Sequence, residues 1–195
     1  MKNVVLIGDS IRLGYQEQVK KLLAKKAEFF TPAENGGHSA NLLVYLHLWV
    51  LNRQPDIVHM NCGLHDLKTV YYGGRESVVS LPFYAENVEK LLRITKERSP
   101  RTQLIWATTT PVIFSRAHAN HAQYKDFDRY EVDVDSYNDV ARAICRKLDV
   151  PVNDLCAFVR QQGVETMVGD DGVHYTPAGY ERLGQAVANA LEPYL

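Results

Sequence analysis

Near the start of the chain, in the run VVLIGDSIRLGYQ, Ser10 follows four apolar residues and Gly8-Asp9, where an amphipathic pattern begins. By position alone such a serine is a helix N-cap, its hydroxyl taking a free amide of the first turn. To act as a nucleophile it needs a base, and the base needs an orienting group, normally a carboxylate. The tail holds both. In GDDGVHYTPAGY, Asp171 precedes His174 by three residues, in a loop that Gly169 and Gly172 allow to bend back. A tight turn would set the carboxylate against Nδ1 and leave Nε2 to face Ser10. The trio could then attack an acyl carbon through the serine hydroxyl. Taken singly, His174 also reads as a turn histidine, and Asp170 and Asp171 as solvated turn residues.

The elements around these residues decide between the two readings. Residues 3–8 read as a buried strand, and Tyr15, Val19, Leu22 and Leu23 mark one face of a following helix. TPAENGGHSAN interrupts that pattern and leads into a second helix carrying Ala40, Leu43, Val44, His47, Leu48 and Leu51. DIVHMNCG is a short apolar strand, 82–98 a helix opened by Pro82, and QLIWATTTP a strand stopped by Pro111. The segment 113–133 lacks periodicity and reads as a lid-like insertion. Tyr137 to Leu148 form a clear helical stripe, VPVNDL reads as an edge-like strand, and a last helix runs from Thr176-Pro177 to Leu191.

Strands alternating with helices predict a three-layer α/β/α sandwich with a mostly parallel sheet, in a single domain covering 1–195. Ligands of such sheets bind beyond the carboxyl ends of the strands, where Ser10, His65-Asp66 and the 107–116 segment fall. The 22 basic and 23 acidic residues are interspersed and leave a net charge of −1, which offers no stripe for nucleic acid and no anchor for anionic membranes. No apolar run approaches the ~20 residues of a membrane span. The three cysteines lack the paired spacing of a zinc site, so reduced thiols and a cytoplasmic location are expected. Dimerisation through exposed helices is compatible with the pattern, which does not demand it.

LIGDSI resembles the first sequence block of the GDSL, or SGNH, hydrolases, and DDGVHYTPAGY resembles their last. Between them GGHSAN is similar to the second block and NCGLHDL to the third, so the resemblance spans residues 3–191. It implies a flavodoxin-like fold and a serine esterase that needs no metal and no organic cofactor. Ser10 would be the nucleophile, His174 the general base and then acid, and Asp171 the orienting carboxylate. The amides of Ser10 and Gly37 would donate to the oxyanion, with Gly36 as the competing glycine.

The third block departs from the family pattern. Where an asparagine side chain usually completes the oxyanion hole, this chain has His65, which as a neutral imidazole donates one hydrogen bond. Asn61, four residues earlier, is the alternative donor. The expected substrate is a small-molecule ester with a short acyl group, such as an acetylated sugar. Three other readings stand beside it. One is a short-chain thioesterase or lysophospholipase, one a carbohydrate-binding module on the hydrolase fold. The last is a metal site built from His65, Asp66, Asp171 and His174.

Overall fold

The structure is a computed structural model that describes residues 1–71, 74–121 and 127–195. The apolar run of the N-terminus forms β1 (Lys2–Ile7), buried from Val4 onward, and α1 (Ser10–Leu23) follows it. Next come β2 (Ala27–Phe30), α2 (Ser39–Trp49), and β3 (Ile57–Met60), whose four residues are all buried. The middle of the chain adds β4 (Thr69–Val70), β5 (Glu76–Ser77), α3 (Leu81–Arg98), β6 (Gln103–Ala107), α4 (Phe114–His121) and β7 (Phe127–Asp128). The last part holds α5 (Glu131–Lys147), β8 (Val152–Asn153), α6 (Leu155–Gln162), α7 (Val164–Met167) and α8 (Pro177–Leu191).

The main sheet has five strands in the order β2-β1-β3-β6-β8, every pair parallel. Parallel strands are covered on both faces, which is why β1 and β3 read as continuous apolar runs rather than alternating ones. Helices α1 and α8 pack together, as do α2, α3 and α5, giving the helical layers around the sheet. Trp106, Leu6, Ile7 and Met60 lie fully buried in the core between them.

The register fixes the site. Ile7 pairs with Met60 and Met60 with Trp106, so the segments after β1, β3 and β6 leave the sheet at one edge. The chain order reverses direction at β1, which places a crevice between the ends of β1 and β3.

The region 113–133 differs from the sequence reading. Its described part contains α4, β7 and the first turn of α5, and residues 122–126 lie outside the described residues. Strands β5, β4 and β7 form a small antiparallel sheet beside the main one. Two-residue strands carry no readable period, and α4 buries only Ala117 and His121, too little for a stripe. Strand β2 and helices α6 and α7 were likewise not anticipated. By contrast VPVNDL does hold an edge strand, β8, paired with β6 alone.

Candidate active site

Ser10 is the first helical residue of α1, and the cap is the residue before it. Asp9 has extended backbone geometry, and its Oδ1 accepts from the Ile11 amide at 3.0 Å. With the cap supplied by Asp9, the Ser10 hydroxyl is released for another partner, which corrects the N-cap reading of Ser10 by one position. That partner is His174, whose Nε2 lies 2.8 Å from Ser10 Oγ.

Local geometry in the tail fixes the imidazole. Asp171 Oδ1 accepts from the amides of Val173 (2.9 Å) and His174 (2.8 Å), while Oδ2 stands 2.5 Å from His174 Nδ1. Burial pushes the Asp171 carboxyl up, but the His174 ring and these two amides outweigh it and hold it below its ordinary value. The turn depends on Gly172, whose φ is +73°, and a Cβ there would come within 2.4 Å of the Ala117 amide nitrogen. Ile113 N donates to Gly172 O and Gly169 N to His174 O, so α4 and the tail are tied to each other. Thr176 caps α8 through the Gly179 amide.

The loop before α2 brings the second block to the same edge. Gly37 holds φ +64°, which aims its N–H along a direction unfavourable for a residue with a Cβ. In this structure that N–H donates to Asn35 Oδ1 at 2.9 Å, whereas the Gly36 N–H donates to Gly8 O and is committed to the backbone. Arg12, fully buried, staples the loop to α1: its Nη atoms donate to Pro32 O (2.7 Å), Glu34 O (2.8 Å) and Gln16 Oε1 (2.6 Å). Asp66 accepts from Ser39 N through both oxygens, at 2.9 and 3.1 Å, and so ties the third block to the start of α2. Burial raises its carboxyl to about 6 in spite of that amide.

After β3, Asn61 and His65 separate. Asn61 is buried with its Oδ1 against Gly8 and is not part of the cleft wall. His65 lines the cleft beside Ser10, Asp171 and His174. Burial first, then the cationic Lys68 and Arg129, depress the His65 ring to about 3, so it is neutral at pH 7 and has one N–H to give. The cleft is small, about 200 Å³, and among its described lining residues only Phe127 and Val173 are apolar.

His65, Asp66, Asp171 and His174 do not gather as ligands, since Asp66 faces the Ser39 amide. Among the described residues no group of three or more His, Cys, Asp or Glu side chains is placed to hold a metal. Neither is any described helix long and apolar enough to cross a membrane. Thr108 and Thr109 serve the scaffold, donating to Asp154 Oδ1 and Cys62 O. Arg116 pairs with Glu165, and His118 with Asp128, while His121 is buried in the cleft wall.

Arg12 and Arg129 were missed by sequence reasoning. Arg12 was legible in principle, as a charged residue at helical spacing with Tyr15 and Val19 on the buried face of α1. Arg129 carried no such signal, lying between a two-residue strand and α5.

Residues 6–182 match the model of the GDSL-like lipase/acylhydrolase family. No curated protein matches the chain. Among solved structures, a lipase/acylhydrolase from Enterococcus faecalis superimposes with a TM-score of 0.80 at 22% identity, covering 99% of this chain and 96% of its own. The acetyl xylan esterase AlAXEase gives 0.73 at 17% identity, with 97% and 99% covered. TesA gives 0.72 at 17% identity, with both chains fully covered.

Proposed function

Since the chain belongs to the GDSL-like lipase/acylhydrolase family, hydrolases acting on ester bonds, we propose that it is a serine esterase that removes a short acyl group, acetyl above all, from a polar alcohol such as a sugar. The observation that carries this reading is the unbroken relay from Asp171 Oδ2 through the His174 ring to Ser10 Oγ. Ser10 Oγ attacks the ester carbon as its proton passes to His174 Nε2, and the carbonyl oxygen becomes the oxyanion. Asp171, held ionised, keeps Nδ1 protonated and stabilises the imidazolium. His174 then gives the proton to the departing alcohol, and a water deprotonated by the same nitrogen hydrolyses the acyl-serine.

The oxyanion is received by three donors. Ser10 N–H is a first-turn amide with no partner inside its own helix. Gly37 N–H becomes available when the exposed Asn35 side chain swings away, a rotation that breaks one hydrogen bond. His65 supplies the third N–H from its neutral ring. Gly36 and Asn61 are left out of this set, the first by its bond to Gly8 O and the second by its burial against Gly8.

The small, mainly polar cleft supports a short acyl group over a long chain. An acetyl xylan esterase among the structural neighbours adds weight to acetyl and to a carbohydrate alcohol. Hydrolysis of 4-nitrophenyl acetate and 4-nitrophenyl octanoate by wild type and Ser10→Ala tests the reading. Acetate is expected to be hydrolysed faster than octanoate, and Ser10→Ala to lose at least about 10³-fold in kcat. Turnover that survives in Ser10→Ala, or a preference for octanoate, would contradict it.

A further inference from the structure

Two arginines are buried at the site edge, and they are treated differently. Arg12 has both Nη atoms saturated by protein acceptors. Arg129, only 6% exposed, donates Nε to Leu64 O at 2.7 Å and makes no other hydrogen bond or ion pair among the described residues. Its guanidinium lies 5.2 Å from the Phe127 ring centroid and lines the same cleft as Ser10 and His174. The carboxylates that act on it from a distance, Asp9 and Asp171, are committed to the Ile11 amide and to His174. Burial lowers the Arg129 guanidinium to about 10, so it stays charged at neutral pH.

Most of the Arg129 side chain is buried while its charge has no paired carboxylate among the described residues, which favours a counter-ion supplied from the cleft. Its Nη donors form a planar fork that fits the two oxygens of a carboxylate or phosphate. Here that fork belongs to the wall of a cleft of about 200 Å³ that also holds the Ser10 hydroxyl. An anionic group bound there would therefore sit on the molecule whose ester faces Ser10. Lys68, with Nζ 4.7 Å from the Phe127 ring centroid, and the His65 ring complete a wall in which Asp171 is the one acidic residue described.

Building on the esterase reading, we propose that Arg129 is a specificity-determining residue that binds an anionic oxygen group, carboxylate or phosphate, on the substrate. The preferred substrates are then acyl esters of acidic alcohols, such as sugar acids or sugar phosphates, rather than neutral ones.

Matched acetates test this: 3-acetoxybenzoate and 3-acetoxyphenyl phosphate against the neutral methyl 3-acetoxybenzoate, with wild type, Arg129→Gln, Arg129→Lys and Ser10→Ala. The wild type is expected to favour at least one anionic ester by about tenfold or more in kcat/KM, and which one identifies the group. Arg129→Gln should bring that ratio close to one, and Arg129→Lys should restore part of it. Loosening of the Leu64 loop would lower all esters together and leave the ratio unchanged. A wild-type ratio of one or less, or the same ratio in Arg129→Gln, would overturn the proposal while Ser10-dependent hydrolysis still upheld the esterase reading. Should no ester be turned over, the esterase reading fails and titration calorimetry with 3-hydroxybenzoate and inorganic phosphate decides the anion site. Binding by wild type that is lost in Arg129→Gln would sustain it, and no binding by wild type, or equal binding by both, would end it.

Discussion

A hydroxyl, an imidazole and a carboxylate fall into one hydrogen-bonded line here because each is freed from an ordinary duty. Asp9 relieves Ser10 of capping α1, and two backbone amides hold Asp171 Oδ1 so that Oδ2 points at His174. The Asp-x-x-His spacing was readable in the sequence since the bond is local. The role of Asp9 was not, because either Asp9 or Ser10 could cap by type. His65 offers a sharp test of the third donor. His65→Ala should lower kcat about 10²-fold or more with KM little changed, in line with loss of one oxyanion donor. His65→Asn should keep most or all of the wild-type kcat, because a carboxamide donates from a similar reach. Steady-state kinetics on 4-nitrophenyl acetate reads both, and an Asn variant as slow as Ala would remove His65 from the hole.

Among the elements, the loop before α2 is held by side chains from elsewhere in addition to its own Asn35. Arg12 of α1 binds its carbonyls, and Asp66 of the third block binds the first amide of α2. Such contacts are invisible to periodicity, as they join residues 20 to 27 apart. In contrast, β1, β3 and β6 were legible as apolar runs, and α1, α3, α5 and α8 by the repeat of the face each buries, whereas α2 turns the other way, burying Leu42, Leu46 and Trp49 and exposing Val44 and Leu48 of the expected stripe. The short elements of 113–133 have no such repeat. Arg12→Ala should cost about 2–4 kcal/mol of stability, since it leaves the buried Pro32 carbonyl and the part-buried Glu34 carbonyl without the guanidinium donors. Urea unfolding measures this, and kcat should fall with it as Gly37 loses its setting. Arg12→Lys should recover only part, because one ammonium cannot reach acceptors spread around a fork. An Arg12→Ala protein as stable as wild type would show that the loop holds itself.

Across the whole molecule, the parallel sheet delivers residues distant in sequence to one edge, and its register makes the three loops meet. That convergence followed from the alternation of strands and helices, whereas the electrostatic character of the edge did not. The same burial that builds the core leaves a pH signature. His59 on β3 is fully buried, accepts from Asn153 Nδ2 at 3.1 Å, and is depressed by burial to about 4. Between its ordinary value near 6.5 and about 4, the unfolded chain takes up a proton that the folded chain refuses, so stability falls as pH falls through this window. Asp66, raised to about 6, acts in the opposite sense, because its stabilisation of the protonated folded form is lost as pH rises from about 4 to 6. Comparing wild type with His59→Gln isolates the first effect. The urea midpoint of the wild type should drop more steeply from pH 6.5 to 4 than that of the variant, and parallel curves would show that His59 does not titrate differently on folding.

The claim on which the rest depends is that Ser10 Oγ is the nucleophile. Intact-protein mass spectrometry after treatment with a fluorophosphonate, followed by peptide mapping, tests it most directly. The account predicts one adduct per chain, located on Ser10, absent from Ser10→Ala and strongly slowed in His174→Ala. An adduct on another residue, or labelling of Ser10→Ala at the wild-type rate, would contradict it.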